Sequence, residues 1–389
     1  MLSEFQKRFG SDDVNTDAAI HHFFAPGRVN LIGEHIDYNG GLVLPMAIGL
    51  GISAWVRYRN DNKIIVQSKQ AESQLSIDLR QPIWDKQTNN KWRNYPLGVL
   101  KYFHDNHIPL FGANILLDSS LPMGSGLSSS AALEVLMAYI FLHKSQHSLL
   151  NNGKAIALFC QKVENEFIGV NCGIMDQFAV AMGQKKQAML LNCDTVEHEY
   201  VPIQLPPNYQ LLIINTNKER QLADSKYNER KAECGQALSI IRQYKNINHL
   251  CEANLNDLKW ITDAVIHKRA KHIITENQRV YAAATALKNN DWSYFGQLMN
   301  ASHDSLQQDY EVSGMALDTV VAAARRHSFC LGSRMTGAGF GGCAIALVTE
   351  VNVDDFQDFI NQYYTPQTGL VAHVYGTQAQ DGVRYIGQL

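Results

Sequence analysis

The 389-residue chain has no pair of cysteines spaced C-x-x-C, so neither a zinc ribbon nor a thioredoxin-like redox site is signalled. Its cysteines are Cys160, Cys172, Cys193, Cys234, Cys251, Cys330 and Cys343. An odd, scattered set suits a reducing compartment better than a disulfide framework. Charge of one sign is also missing. Lys and Arg number 34 against 37 Asp and Glu, a net of −3, so there is no broad basic footprint for nucleic acid. Long apolar runs are absent too. The uncharged stretch Gly40 to Val56 carries Pro45 and four glycines and falls short of the ~20 apolar residues of a membrane span. Met1 to Asp13 is mixed and charged, without the apolar centre of a signal peptide. No internal repeat or low-complexity segment is visible. These absences predict a cytoplasmic protein with no nucleic-acid or membrane partner, a monomer or weak homo-oligomer.

What is present is ordinary globular material. Apolar residues make up 46% and charged ones 18%, which excludes a disordered chain. At roughly 150 residues per domain, the length predicts about two domains. Strand-like runs cover Gly41–Val56, Lys63–Ser68, Ala188–Asn192, Gln210–Asn215 and Cys343–Val348. Ser128–Lys144 reads as a helix apolar almost all round, hence buried, and Lys154–Ile168 as an amphipathic one. Asp224–Tyr244, Thr275–Asn289 and Met315–His327 also look helical. The proline-rich joint Val201–Pro207 blocks helix and central strand alike. It predicts domains of residues 1–205 and 206–389. Strands are not regularly followed by helices, so the class is α+β rather than a doubly wound sheet.

Two glycine-rich loops carry chemistry. In Leu121–Leu133 (LPMGSGLSSSAAL) glycines let the backbone approach a ligand, and the serines sit where a long helix begins. Free N–H groups and the helix dipole make such a start an anion site. The Walker A lysine is absent. A capped helix is the plainer alternative, but one serine suffices for a cap. Met335–Cys343 matches G-x-G-x-x-G at Gly337, Gly339 and Gly342. The dinucleotide fingerprint needs a strand before and a helix after it; here the order is reversed, so a turn or a wall over a nucleotide fits better.

Polar groups crowd the run from Ala25 to Gly41, with Arg28, Asn30, Glu34, His35, Asp37 and Asn39 close together. Carboxylates accept from vicinal sugar hydroxyls, and an arginine stabilises phosphoryl charge. A solvated loop is the alternative. Asp176 stands among Ile174, Met175 and Phe178, where an isolated carboxylate must be paired or neutral, unless it is a helix cap. Ser130 with Glu164 would offer the hard oxygens that Mg²⁺ takes beside phosphate.

Together these blocks resemble the galactokinases, of the GHMP small-molecule kinase superfamily. Gly27–Asn39 is similar to the galactokinase signature, Leu121–Ala132 to the superfamily phosphate loop, and Thr336–Gly342 to its third motif. Cys172–Phe178 and Ala223–Asn228 fit the same pattern. Ile36 departs from it, standing where many relatives have threonine. The resemblance implies a ribosomal-protein-S5-like N-terminal domain and a ferredoxin-like C-terminal domain with the site between them. It implies transfer of the ATP γ-phosphoryl group to O1 of α-D-galactose. Asp176 would be the catalytic carboxylate and Arg28 its partner. Glu34, His35, Ile36, Asp37, Gly173 and Tyr227 would line the sugar pocket. Gly124, Ser125, Gly126, Leu127, Ser128, Ser129 and Ser130 would cradle the phosphates, and Ser130 and Glu164 would hold Mg²⁺. An N-acetylgalactosamine kinase, a catalytically silent sugar sensor and an NAD-dependent oxidoreductase are the competing readings.

Overall fold

The computed structural model describes residues 2–10, 19–88, 91–170, 172–218 and 223–389; Asn171 and the start of the chain at residues 1 and 11–13 lie outside them. After helix α1 (Leu2–Phe9) come strands β1 (His21–Asn30), β2 (Leu42–Val43), β3 (Pro45–Arg59), β4 (Lys63–Ser68) and β5 (Ala71–Asp78). Helix α2 (Asn94–Asp105) and strand β6 (Gly112–Ser119) lead to helices α3 (Ser129–Ser145), α4 (Gly153–Lys162) and α5 (Met175–Met182). Strands β7 (Gln187–Asn192), β8 (Glu197–Pro202) and β9 (Tyr209–Asn215) precede helices α6 (Ala223–Ile241), α7 (Ala264–Lys288), α8 (Trp292–Ser305) and α9 (Gly314–Arg326). The chain closes with β10 (Cys330–Thr336), β11 (Cys343–Thr349), α10 (Val353–Thr368), β12 (His373–Thr377) and β13 (Arg384–Gln388).

The first sheet runs β13-β1-β3-β6-β4-β5 and is antiparallel apart from the β4–β6 pair. Helix α3 lies against β1 and β3 and is flanked by α2, α4 and α5. Its residues from Ala131 to Ala138 are all buried, which is why its sequence shows no polar face. The second sheet runs β10-β11-β9-β12, antiparallel throughout. Its inner strands are apolar on both faces, Leu211–Ile214 and Cys343–Val348, because α8, α9 and α10 pack around the sheet. A small sheet, β2-β7-β8, touches the first through β7 and β3, and α7 packs on its β2 and β8.

The proline-rich joint begins in the last two residues of β8, the edge strand of the small sheet, and leads to β9 in the second sheet. Strand β13 returns from the end of the chain to pair with β1 in the first sheet.

Candidate active site

Strand β1 is interrupted where it matters. Its register on β3 shifts between Pro26 and Arg28. Gly27 sits at that bulge, and a Cβ there would meet Leu121 Cδ2 at 2.6 Å and the Leu127 carbonyl at 2.7 Å. Only glycine lets the strand touch the loop that way. Beyond the bulge Arg28 N donates to the Leu127 carbonyl (3.2 Å), tying the strand to the glycine–serine loop.

Arg28 then points at Asp176 on the first turn of α5. Nε donates to Oδ1 (2.8 Å) and Nη2 to Oδ2 (2.9 Å), a bidentate pair, while Nη1 donates to the Gly126 carbonyl (2.7 Å). Arg28 is 5% exposed and Asp176 29%, so the carboxylate faces a cavity and the guanidinium backs it. Ser128 stands at the start of α3 with φ +63° and makes no helix cap; its hydroxyl donates to Asp176 instead. The serine surplus over capping needs is thus spent on the carboxylate. The first turns of α3 and α5 meet here, and both favour negative charge.

The cavity has a volume of about 630 Å³. The loop residues Gly124, Gly126, Ser128, Ser129 and Ser130 line one side. Asp37, Gly173 and Tyr227 line another, and Gly337–Ala338 of the second glycine motif close a third. Asp37 lies against Gly173 so closely that a Cβ there would come within 1.8 Å of its Oδ2. Burial, and then the Asp176 charge, push Asp37 up to about 7. Glu164 reaches about 7 for the same two reasons, although Ser130 donates to it.

Glu34 and His35 line the cavity and also bind neighbouring elements. Glu34 is buried and lines the cavity, but its oxygens are engaged from behind. Oε2 accepts from Asn30 Nδ2 (2.5 Å) and Arg334 Nη2 (2.9 Å), and Oε1 from the Gly337 amide (2.7 Å). Burial pushes its carboxyl up and Arg334 pulls it back. Arg334 is itself fully buried and also faces Glu276 (3.8 Å), which accepts from the Gly33 amide (2.9 Å). This network locks the sugar signature onto β10 and α7. His35, at φ +65°, donates from Nε2 to the Ala338 carbonyl (3.1 Å). Its Nδ1 is hydrogen-bonded to the Tyr38 hydroxyl (2.8 Å), which pairs with the Tyr310 hydroxyl (2.9 Å), which in turn meets the Cys234 thiol (3.1 Å). Burial raises both phenols, so they remain donors.

Three expected residues do not reach the cavity with their side chains. Ile36 is fully buried, packed under Gly41, because an apolar side chain at that point in the loop turns to the core. Ser125 is 3% and Leu127 1% exposed; the loop's alternation points them inward. Leu127 serves through its carbonyl. Residues not foreseen are Met175, Ser225, Asn228, Gly169 and Val170, which also line the cavity. Gly169 ends a π-helical turn, Val163–Ile168, that extends α4 and carries Glu164.

No group of three or more His, Cys, Asp or Glu side chains is arranged around a metal among the described residues. Mg²⁺ does not need one, since it takes one or two carboxylates plus phosphate oxygens. Ser130 and Glu164 fit that demand: Ser130 donates to Glu164, and the Asp176 charge is close enough to raise the Glu164 carboxyl.

Fold and cavity together define a GHMP-type small-molecule kinase. Residues 94–184 match the GHMP kinases N terminal domain and residues 283–365 the GHMP kinases C terminal. A mevalonate kinase of Methanococcus jannaschii shares the two-domain fold at a TM-score of 0.67 and 21% identity, over 93% of this chain and 98% of that one. Residues 3–58 match the galactokinase galactose-binding signature. A galactokinase of Clostridium beijerinckii is 46% identical, over 100% of this chain and 98% of its own. One from Enterococcus faecalis is 46% identical over 93% and 94%. The Lactococcus lactis galactokinase crystallised with galactose superposes at a TM-score of 0.91 with 38% identity, covering 99% of this chain and 98% of that one. The chain belongs to the galactokinase family.

Proposed function

We propose that the enzyme transfers the γ-phosphoryl group of ATP to the C1 hydroxyl of α-D-galactose, giving galactose 1-phosphate and ADP, the entry step of galactose catabolism. The observation that carries this reading is the Arg28–Asp176 pair. It stands where the wall made by Asp37, Gly173 and Tyr227 meets the Gly124–Ser130 loop. Galactose would lie on the first and the ATP phosphates on the second.

The residue roles follow from that placement. Asp37 accepts from sugar hydroxyls once ionised. Asp176 accepts a hydrogen bond from the reacting hydroxyl and orients its oxygen toward phosphorus. The proton passes to Oδ late, as the new O–P bond forms and the electrons of the breaking bond pass to ADP. Phosphoryl transfer has a loose transition state, so positioning and charge stabilisation supply most of the rate. Arg28 keeps N–H groups beyond those it gives to Asp176 and Gly126, and these stabilise charge on the moving phosphoryl. The open N–H groups at the start of α3 receive phosphate oxygens. Ser130 and Glu164 hold Mg²⁺, which when bound neutralises phosphate charge.

The domains are proposed as residues 1–205 and 206–389, with β13 crossing back to complete the sheet of the first. No helix among the described residues is long and apolar enough to cross a membrane, and a cytoplasmic setting as a monomer or weak homo-oligomer is the proposal that suits free small-molecule substrates. ADP release from Mg·ATP, measured with galactose, glucose, mannose, N-acetylgalactosamine and no sugar, tests the substrate. Turnover with galactose alone is expected. Preference for N-acetylgalactosamine would move the substrate, and tight galactose binding without turnover would overturn the roles of Asp176 and Arg28.

A further inference from the structure

The wall proposed for the sugar is built from separate parts of the chain. Asp37 comes from the loop after β1, and Tyr227 from the start of α6. Tyr310 stands behind both. It is fully buried and does not line the cavity. It ends a π-helical turn, Leu306–Tyr310, that extends α8. Such turns are rare and occur often at functional sites. Its last carbonyls need partners from outside the helix, and two arginines supply them. The Asp309 carbonyl accepts from Arg269 Nη1 (2.7 Å) and the Tyr310 carbonyl from Arg230 Nε (2.8 Å). Arg230 is on α6, three residues after Tyr227, so the two share a helix face.

The Tyr310 side chain reaches the signature loop. Its hydroxyl pairs with the Tyr38 hydroxyl (2.9 Å), which is bonded to His35 Nδ1 (2.8 Å). Its ring packs on His35, with centroids 4.9 Å apart, and on His272, at 4.6 Å. Tyr38 and His35 in turn pack on Tyr227, at 5.1 Å and 5.6 Å. Aromatic pairs at these spacings attract. One buried residue thus holds the signature loop by its side chain and α6 by its carbonyl. We infer that Tyr310 is a positioning residue for the sugar pocket: its hydroxyl holds Tyr38, and with it the segment from His35 to Asp37, at a fixed distance from Tyr227. Phenylalanine would supply the same ring, but it would take a hydrogen bond from Tyr38 and a contact from the Cys234 thiol (3.1 Å). These links end on the sugar wall. The phosphate loop is tied instead to Arg28, through the Gly126 and Leu127 carbonyls.

The inference rests on the reading of this wall as the galactose site. Its test is galactose affinity by calorimetry, with KM for both substrates and thermal unfolding, for Tyr310→Phe, Tyr38→Phe and the double variant. Tyr310→Phe should weaken galactose binding about 2- to 12-fold, the usual worth of one neutral hydrogen bond. Galactose KM should rise in step while ATP KM holds. Tyr38→Phe breaks the same bond from the less buried side, so it reports even where the buried substitution impairs folding. It should lose at least as much galactose affinity. Because both variants act through one bond, Tyr310→Phe should cost little further in the Tyr38→Phe background. Galactose affinity unchanged in the single variants, with or without a fall in thermal stability, would overturn the inference. So would losses that add in the double variant, or an equal rise in ATP KM. In each of these cases, wild-type galactose binding that Asp37→Ala weakens leaves the sugar site standing. A wild-type protein that does not bind galactose would overturn the sugar site and the inference with it.

Discussion

Replacing Gly173 by alanine perturbs the proposed sugar wall at one atom. The backbone at Gly173 is not in the left-handed region, so alanine is conformationally allowed and the effect is steric. The new Cβ would lie 1.8 Å from Asp37 Oδ2 and 2.4 Å from its Cγ. Non-bonded carbons settle at about 3.5–4.0 Å, so the carboxylate must retreat by about 1.5 Å or more. A hydrogen bond to a charged group contributes about 1.5–3 kcal/mol. At about 1.4 kcal/mol per tenfold, losing one from Asp37 to the sugar weakens galactose binding by about 10- to 150-fold. The assay is galactose affinity by calorimetry together with KM for both substrates. Galactose KM and Kd should rise together, with ATP KM unchanged. Because the alanine acts through Asp37, the effects must not add. In an Asp37→Ala background, Gly173→Ala should cost little further. An equal penalty in both backgrounds, or a shift in ATP KM alone, would refute the placement of the sugar.

Asp176→Asn should lower kcat by at least about 10²- to 10⁴-fold, the usual worth of a positioned proton acceptor, with galactose and ATP still bound; stopped-flow turnover and calorimetry check this. Asp37 stands raised to about 7, because burial and Asp176 disfavour its charge. The wild-type kcat/KM for galactose should accordingly fall below about pH 7, and Asp37→Asn should lack that limb. The stability consequence has a definite sign: the folded state holds the Asp37 proton from the unfolded value of 3.8 up to about 7, so this group makes folding less favourable as pH rises through that window. Asp37→Asn should then unfold at a higher temperature than wild type at pH 8, with the gap closing toward pH 5. Arg334→Met leaves Glu34 buried without its cation. Breaking a buried pair costs about 3–5 kcal/mol, so thermal unfolding should show a large drop, and sugar affinity should fall as the signature loop loosens.

Local chemistry explains what could be read before the fold was seen. The buried helix α3 was legible because its apolar residues run all round, and β9 and β11 because they are short β-type runs between breakers. The glycine–serine loop suggested an anion site through residue types alone, and the fold brings that loop to the cavity wall. Helix α7 was read only in its second half. Its first half carries Arg269 and His272, which look solvent-facing in sequence but are buried in ion pairs and hydrogen bonds to other elements. Strand β1 was hidden because Pro26, Gly27 and the polar Arg28 and Asn30 interrupt its alternation; tertiary pairing on β3 and the loop overrides that. The π-helical turn at Glu164 leaves no periodic mark. Density of polar groups located the sugar signature but not the division of labour within it. Glu34 faces the cavity while its oxygens are held by Arg334 and Gly337, partners some 300 residues away. Sequence separation also hides the setting of Glu134, which reads as one polar residue in an apolar helix until Gln177, 43 residues on, is brought beside it.

The central claim is transfer of a phosphoryl group to the C1 oxygen of galactose through the Arg28–Asp176 pair. Phosphorus NMR of galactose, ATP and Mg²⁺ with the wild-type enzyme and with Asp176→Asn tests it most directly. The account predicts a sugar phosphate coupled to the anomeric proton, growing in step with ADP in wild type and absent on the same timescale in a variant that still binds both substrates. A phosphate coupled to the C6 protons, or the same product at an undiminished rate from Asp176→Asn, would contradict it.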